Sequence, residues 1–246
     1  ARNVIGGAGT GVYITGTNAQ NNRVIGNLIG CGPAGELFPN DDYGVNILNA
    51  ARNQIGGAYT NEANTISGNQ YYGVFIPGTG SFNNVVAGNR IGTDGSGVRF
   101  ADPNNAFNQV SNNFIGMNTN FAAITNGSYG VEVFNASSNL IGAGNYVGNS
   151  RTPAAGIRIF GTNSFDNIVF GNVVGMDNAG NRHPNWGGID VQDARNTIVG
   201  FSLFTANAVG GNFADGISVR GLASNTQVRF NFVGTDLLGS GTVRND

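Results

Sequence analysis

Two short phrases alternate along this chain of 246 residues, and a chain that repeats itself is best considered first as a repeat protein. The first phrase is Gly-[Val/Ile]-x-[Ile/Val], which begins at residues 11, 44, 73, 130, 156, 188 and 216. The second is Asn-x-[Ile/Val]-x-x-Asn-x-[Ile/Val]-Gly, which follows after 11 residues at 11→22 and after 9 residues at 44→53. The register holds while the intervening sequence changes, so each pair of phrases marks one structural unit.

Both phrases alternate aliphatic with other residues, and this period of two is typical of a strand with one buried face. The strands are short, and Gly and Asn punctuate them because these residues tolerate the backbone of sharp bends. The first phrase recurs after 26 residues at 130→156 and after 32 at 156→188. Short strands, tight bends and this period predict an all-β parallel β-helix with about three strands per coil and roughly 8–9 coils.

Parallel pairing stacks equivalent positions about 4.8 Å apart. The first phrase therefore predicts two aliphatic columns inside the coils. The first column is Val12, Val45, Val74, Val131, Ile157, Ile189 and Ile217. The second column is Ile14, Ile47, Ile76, Val133, Ile159, Val191 and Val219.

The asparagines of the second phrase are predicted to form ladders at the bends. A stacked amide donates to one neighbour and accepts from the other, which satisfies buried polar groups where the sheets are interrupted. The predicted structural ladder is Asn22, Asn53, Asn84, Asn108, Asn139, Asn167, Asn196 and Asn225. A second ladder is predicted at Asn27, Asn89, Asn113, Asn145, Asn172 and Asn231.

Extra residues collect after the Ile/Val-Gly that closes the second phrase, at 31–43, 93–105 and 176–186. These inserts are expected to protrude on one side of the coils. The "GVRF" beginning at residue 97 is ambiguous, because it fits both the first strand of a coil and part of an insert.

Composition excludes several classes of function. Only 11% of the residues are charged and the net charge is −2, which gives no electrostatic case for binding nucleic acid or an anionic membrane. No apolar run approaches the roughly 20 residues that a membrane span needs. The single cysteine, Cys31, has no internal partner for a disulfide, which leaves a buried or half-buried thiol, an intermolecular bridge or a reactive thiol.

The phrases "GNRIGTD" (88–94), "FNFVGTD" (230–236) and "NQIGGAYTNEANTISGN" (53–69) resemble the right-handed parallel β-helix repeats of large secreted or surface proteins of bacteria. The resemblance covers essentially the whole chain and implies a pectin-lyase-like fold. It also implies an extracellular or cell-surface location. The same fold carries pectin-type lyases, glycoside hydrolases, phage tailspikes and adhesin passenger domains, so the fold does not choose among these functions.

One outward position places charge on successive coils. The residue between the two inward aliphatics is Glu132, then Arg158, then Asp190, and the next outward column adds Phe134 and Phe160. Two interpretations stay open: an alternating-charge ladder on an exposed sheet face, which keeps like charges apart, and a groove that binds or degrades a glycan. The candidate ligand-binding residues are Glu132, Phe134, Arg158, Phe160, Asp190 and Gln192.

A catalytic role is disfavoured, and no residue is assigned one. Glu132 and Asp190 would lie roughly 9–10 Å apart, near the wide end of the spacing in inverting glycosidases. Arg158 between them would keep both carboxylates ionised, which does not suit a general acid. A polysaccharide lyase would use Arg158 as its base with calcium on nearby carboxylates, and would need a denser acidic cluster. If the chain is an enzyme, these three residues are the candidates.

The metal signals are weak. His183 is the only histidine and Cys31 the only cysteine, so no transition-metal site is predicted. The loops "GTDGSG" (92–97) and "DNAGN" (177–181) are the only calcium candidates, and both are poor in carboxylates. No cofactor is expected, with calcium as the weaker alternative.

Both ends of the chain fall inside the repeat, which predicts one β-helix domain over residues 1–246, uncapped at both ends. Bare coils pair either with a second copy stacked head to tail or with flanking coils of a longer solenoid. The sequence therefore favours a structural or interaction solenoid of a secreted or surface protein that stacks into a filament. The alternative is a carbohydrate-binding or polysaccharide-degrading β-helix that uses the outward Glu132–Arg158–Asp190 face.

Overall fold

The alternating aliphatic residues of both phrases form short strands that stack coil upon coil into three parallel sheets. The computed structural model describes residues 2–246, which wind through about eight turns of a parallel β-helix. Each full turn contributes one strand to each sheet. The predicted fold class is thereby confirmed.

Strand bounds follow the repeat. Sheet 1 contains β1 Val4–Ile5, β4 Leu28–Ile29, β7 Thr65–Ser67, β10 Arg90–Gly92, β13 Phe114–Ile115, β16 Tyr146–Val147, β19 Val173–Val174, β22 Asn207–Val209 and β25 Asn231–Val233. Sheet 2 contains β2 Thr10–Thr15, β5 Tyr43–Leu48, β8 Tyr72–Ile76, β11 Val98–Ala101, β14 Val131–Phe134, β17 Ile157–Phe160, β20 Ile189–Gln192 and β23 Ile217–Arg220. Sheet 3 contains β3 Arg23–Val24, β6 Gln54–Gly56, β9 Val85–Ala87, β12 Gln109–Ser111, β15 Leu140–Gly142, β18 Ile168–Phe170, β21 Ile198–Val199 and β24 Gln227–Val228.

In the part of the chain that the structure describes, helical structure is limited to two three-residue 3₁₀ turns, Thr60–Glu62 and Leu203–Thr205. Within residues 2–246, no helix has the length and apolar character that crossing a membrane demands.

The interior consists of the predicted aliphatic columns. Val131 pairs with Ile157, and Ile157 with Ile189, so the three lie in one column. All three are at most 1% exposed. Burying one such side chain contributes roughly 1.5–3 kcal/mol, and the columns repeat that contribution on every coil.

The ambiguous coil is resolved. Strand β11 pairs with β8 on one side and with β14 on the other, so the "GVRF" at residue 97 forms a sheet 2 strand. The interpretation of 93–105 as an insert is therefore wrong. A protruding segment that the sequence analysis missed is 117–129. Each of three long inserts, 31–43, 117–129 and 176–186, contains one antiparallel bridge of its own. The bridges are Cys31–Leu37, Met117–Ala123 and Met176–Arg182.

The glycine that opens the first phrase is required by close packing. A Cβ on Gly44 would lie 2.5 Å from Ile66 Cγ2 and 2.7 Å from the carbonyl oxygen of Gly73 in the next coil. The glycine that closes the second phrase has a different role: Gly30 and Gly116 have φ of 81° and 80°, a left-handed backbone that glycine adopts without strain.

Asparagine ladders run along the corners, as predicted. Before sheet 3, the Nδ2 of Asn84 donates to Oδ1 of Asn108 at 3.1 Å, and Asn108 repeats this bond to Asn139 at 3.1 Å. The ladder before sheet 1 is longer than predicted, because Asn3, Asn64 and Asn207 also join it.

Two members of the predicted structural ladder do not lie in it. Ile168 pairs with Ile198, and Ile198 with Gln227, so the positions that follow Asn167 are Thr197 and Thr226. Asn196 and Asn225 each stand one residue earlier, exposed, with φ of 53°. The assignment failed because asparagine and threonine are adjacent in both segments and the inward valine follows the threonine by two residues.

A third corner ladder precedes sheet 2 and is interrupted. Asn40 donates to Asn69 at 2.7 Å, and Asn185 donates to Asn212 at 3.0 Å. Between them Thr93 and Ser150 replace asparagine on either side of Asn126, as their backbone hydrogen bonds show. Among residues 2–246, the buried Asn126 amide and the Ser150 hydroxyl find no hydrogen-bond partner.

Candidate functional site

The outward charges lie on consecutive rungs of sheet 2. Glu132 of β14 pairs with Arg158 of β17, and Arg158 pairs with Asp190 of β20. The preceding rung carries Arg99 of β11, which pairs with Glu132. Sequence analysis missed Arg99 because its phrase, Gly-Val-x-Phe, ends in an aromatic residue.

The charges of this column form specific ion pairs. Arg99 Nη1 lies 2.9 Å from Glu132 Oε2, and Ser96 Oγ donates to the same oxygen at 3.2 Å. Arg158 Nε lies 3.5 Å from Asp190 Oδ2. Arg220 holds Asp190 with both ends of its guanidinium, Nε to Oδ1 at 2.8 Å and Nη2 to Oδ2 at 2.8 Å.

Aromatic rings flank the arginines. The guanidinium of Arg99 lies 5.1 Å from the Tyr72 ring and 5.3 Å from the Phe134 ring. Arg158 lies 4.9 Å from the Tyr129 ring and 4.1 Å from the Phe160 ring.

This packing covers the carboxylates. Glu132 is 5% exposed and Asp190 is 7% exposed, so the expectation of an exposed sheet face is wrong at this column. Bulky neighbours on the same face shield the carboxylates from water. Burial of the two carboxylates is tolerated because each forms an ion pair with an arginine. A carboxylate held in this way has no free oxygen to present as a general acid or base.

A third outward column changes character along the helix. It consists of the residues that directly precede the glycine of the first phrase. In the earlier coils it carries tyrosines at three of five positions, and the order is Thr10, Tyr43, Tyr72, Ser96 and Tyr129. Tyr43 stacks on Tyr72 at 5.7 Å with an interplanar angle of 3°. After Tyr129 the same position holds Ala155, Gly187 and then Asp215.

The loss of these rings opens a cavity of about 470 Å³. Tyr129 closes one end, Trp186 and Pro153 stand at its side, and Asp190 and Arg220 supply charged groups. The remaining lining residues are Ala155, Gly187, Ile189, Ala214, Asp215 and Ser218. An aromatic wall beside a few polar groups is the usual composition of a small-molecule site.

Trp186 reaches the cavity from the insert at 176–186. Its backbone N–H donates to the carbonyl oxygen of Ala154 at 3.0 Å, which ties the insert to the neighbouring coil. The side chain is 43% exposed, and it is the only tryptophan of the chain. The nearby His183 contacts other groups: its Nε2 lies 3.4 Å from Asp177 Oδ2, and its ring lies 5.9 Å from the Phe121 ring.

Of the six candidate ligand residues, Asp190 lines the cavity. Phe134 and Phe160 stack on each other at 5.4 Å, and Gln192 accepts a hydrogen bond from Arg158 at 2.9 Å. The sequence analysis did not select Tyr129, Trp186 or Arg220. The available signal was the change from tyrosine to alanine and glycine in the position before the phrase.

In the calcium candidate 177–181, hydrogen bonds within the loop already engage the carboxylate. Among residues 2–246, no group of three or more His, Cys, Asp or Glu side chains is arranged to hold a metal ion. In the loop 177–181, Asp177 Oδ1 accepts from the N–H groups of Ala179 and Asn181 at 2.9 and 2.8 Å. Burial raises the pKa of Asp177, but the hydrogen bonds from Asn181, Ala179 and His183 outweigh it and leave the pKa below its usual value.

Cys31 is buried, 3% exposed, with Sγ 3.8 Å from the carbonyl oxygen of Thr65. Burial raises the pKa of this thiol, which keeps it protonated and unreactive.

No protein-family model matches this sequence, and no curated protein resembles it significantly. Solved structures resemble it in fold. The A-module of a mannuronan C-5 epimerase from Azotobacter vinelandii superposes with a TM-score of 0.61 at 17% identity, over 93% of this chain and 56% of that one. A mutant of a periplasmic alginate epimerase superposes with a TM-score of 0.51 at 17% identity, over 79% of this chain and 48% of that one. This chain spans about half the length of these structures, and the shared feature is the fold, a right-handed parallel β-helix.

Proposed function

We propose that this chain is a carbohydrate-binding β-helix and that the cavity beside Trp186 is its glycan site. The observation that carries this proposal is the cavity of about 470 Å³, which is built where the outward column changes from tyrosine to alanine and glycine. Trp186 and Tyr129 offer flat apolar faces for a sugar ring, and Asp215, Ser218 and the remaining N–H groups of Arg220 offer hydrogen-bonding groups at the same place.

Binding fits this site better than catalysis does. Both buried carboxylates of the charged column are engaged with arginines, at 2.9 Å for Glu132 and 2.8 Å for Asp190. The fold likeness to enzymes named as mannuronan and alginate epimerases supports a role with polysaccharides, and it does not transfer their chemistry to this chain.

The test is an immobilised glycan array followed by calorimetry on the glycans that bind. Trp186→Ala removes the aromatic wall and is expected to weaken binding at least about tenfold. Tyr13→Ala is the matched control, because Tyr13 is 54% exposed on the same sheet face but lies outside the cavity. Equal affinities in both variants would overturn the proposal. If the chain cleaves a bound glycan and Asp190→Asn abolishes that cleavage, the function of the site is catalysis and not binding alone.

A second candidate function is the structural one, in which copies of the chain stack head to tail. Val219, Val228 and Val233 continue the inward columns of the three sheets, yet they are 45%, 49% and 45% exposed on the last described coil. On the first coil the inward residues Ile5 and Val12 are likewise only partly buried. A second copy of this chain would cover these side chains and extend all three sheets.

Sedimentation velocity over a range of concentrations tests this second candidate. The chain is expected to form longer rods as its concentration rises, and Val228→Glu is expected to prevent this. A single monomeric species at every concentration contradicts head-to-tail stacking.

We also propose an extracellular or cell-surface location. The resemblance of the repeats to secreted and surface solenoids supports it, as does the periplasmic description of one structural neighbour. Fractionation of the source cells tests this location. Recovery of the protein only in the cytoplasmic fraction would contradict it.

A further inference from the structure

The charge of the cavity limits which sugars it accepts. Three of its lining residues carry charged side chains, Asp190, Asp215 and Arg220. Two acids therefore face one base. Asp215 is exposed, and its carboxylate forms no salt bridge with residues 2–246.

The one arginine of the lining is already engaged. Arg220 Nε and Nη2 donate to the two oxygens of Asp190, each at 2.8 Å, which is the bidentate geometry that a ligand carboxylate would need for itself. The hydrogen bonds that Arg220 donates to Asp190 also raise the pKa of Arg220, so the guanidinium stays charged.

The next arginine stands behind the cavity wall and is engaged as well. Arg158 Nη1 donates to the Tyr129 hydroxyl at 2.6 Å, and Nη2 donates to Gln192 Oε1 at 2.9 Å. Its Nε faces Asp190 at 3.5 Å, and aromatic rings cover its plane. Burial raises the pKa of Tyr129, which keeps that hydroxyl neutral.

We infer that the cavity takes an uncharged saccharide and discriminates against uronate sugars. This inference rests on the proposed glycan-binding function and specifies its ligand class. The hydroxyl groups of a neutral sugar donate to the Asp215 oxygens while its ring lies on Trp186. A uronate carboxylate in the same place meets Asp215, while the charge of the Arg220 guanidinium is already balanced by Asp190. The repulsion from Asp215 is therefore not offset, and a repulsive charge of this kind gives specificity against a ligand.

The test compares matched pairs of hexameric oligosaccharides by calorimetry on the full chain. Each pair has one linkage and differs only in the sugar C6 group: mannose with mannuronate, glucose with glucuronate, and galactose with galacturonate. At least one neutral member is expected to bind, with its uronate partner weaker by about tenfold or more. Asp215→Asn is expected to narrow that difference, whereas Asp41→Asn, an exposed acid in the insert 31–43, is expected to leave it unchanged.

The outcomes separate the two proposals. A uronate that binds as tightly as its neutral partner, or more tightly, overturns the charge inference and leaves the glycan site standing. No change of selectivity in Asp215→Asn also overturns the inference. Failure of every oligosaccharide to bind, with the chain folded by circular dichroism, overturns the glycan site itself.

Discussion

The outer face of sheet 2 is filled over its earlier coils and open over its later ones. In the earlier coils Tyr43 stacks on Tyr72, and Arg99 lies between Tyr72 and Phe134. In the later coils Ala155 and Gly187 occupy the tyrosine position and leave the cavity beside Trp186. The inward columns continue beneath both halves and are aliphatic except at Phe100. The comparison shows that this scaffold changes its surface without changing its core, because inward and outward residues alternate along each strand.

The largest loss of stability is expected when an outward aromatic ring is removed from the filled half. Tyr72→Ala removes a stacked ring, its contact with Arg99 and the hydrogen bond that its hydroxyl accepts from Arg99 at 2.9 Å. We expect a loss of about 3 kcal/mol in the free energy of unfolding, the lower end for losing a packed aromatic. Urea denaturation measures it, with Tyr13→Ala as the exposed control that changes stability by about 0.5 kcal/mol or less. Equal losses in the two variants would show that the filled half is not held by its outward rings.

A smaller loss of stability, equal in the two halves, is expected when an asparagine of the interior ladder is replaced. Asn113 lies under the filled half and Asn172 under the open half, and each donates through Nδ2 to the next asparagine, at 3.1 and 3.0 Å. Asn113→Leu and Asn172→Leu should each cost about 2 kcal/mol, because buried partners lose their hydrogen bonds. The exposed Asn225→Gly, whose φ of 53° glycine tolerates, is the near-neutral control. Clearly unequal losses at the two ladder positions would contradict a common core.

The smallest effect is a gain at the boundary between the halves. Ser150 interrupts the third ladder in the coil that also carries Ala155, and its hydroxyl and the Asn126 amide have no partner among residues 2–246. Ser150→Asn supplies an amide that accepts from Asn126 and donates to Asn185. We expect about 1 kcal/mol of added stability in thermal or urea unfolding. A loss of stability would mean that the corner has no room for the larger side chain.

The inward columns and the rung order of Glu132, Arg158 and Asp190 could be predicted from sequence. Both follow from a period of two within strands and a constant register between coils. The prediction failed where this register was ambiguous: Asn196 and Asn225 stand beside threonines that fit the ladder equally well, and Arg99 sits in a phrase with a phenylalanine in place of an aliphatic residue.

The cavity could not be predicted from the repeat pattern. It results from side chains that are small at Ala155 and Gly187, and from the insert that brings Trp186 over the neighbouring coil. The path of an insert depends on contacts between coils, such as the bond from Trp186 to Ala154, and not on any periodicity. Burial of Glu132 and Asp190 escaped prediction for the same reason, since neighbouring aromatic side chains cause it.

The central claim, that the open half binds a sugar because no tyrosine follows Tyr129 in this column, has a direct optical test. Trp186 is the only tryptophan and stands at the cavity, so its fluorescence reports on this site alone. In Gly187→Tyr the added ring restores the column, and its Cβ has room, 3.6 Å from the Asp215 carbonyl oxygen and 3.9 Å from Ala155 Cβ. Titration with the neutral oligosaccharides should give a saturable fluorescence change in the natural protein and in Gly187→Ala, and none in Gly187→Tyr. The same saturable change in Gly187→Tyr, or no change in any of the three, would contradict the account.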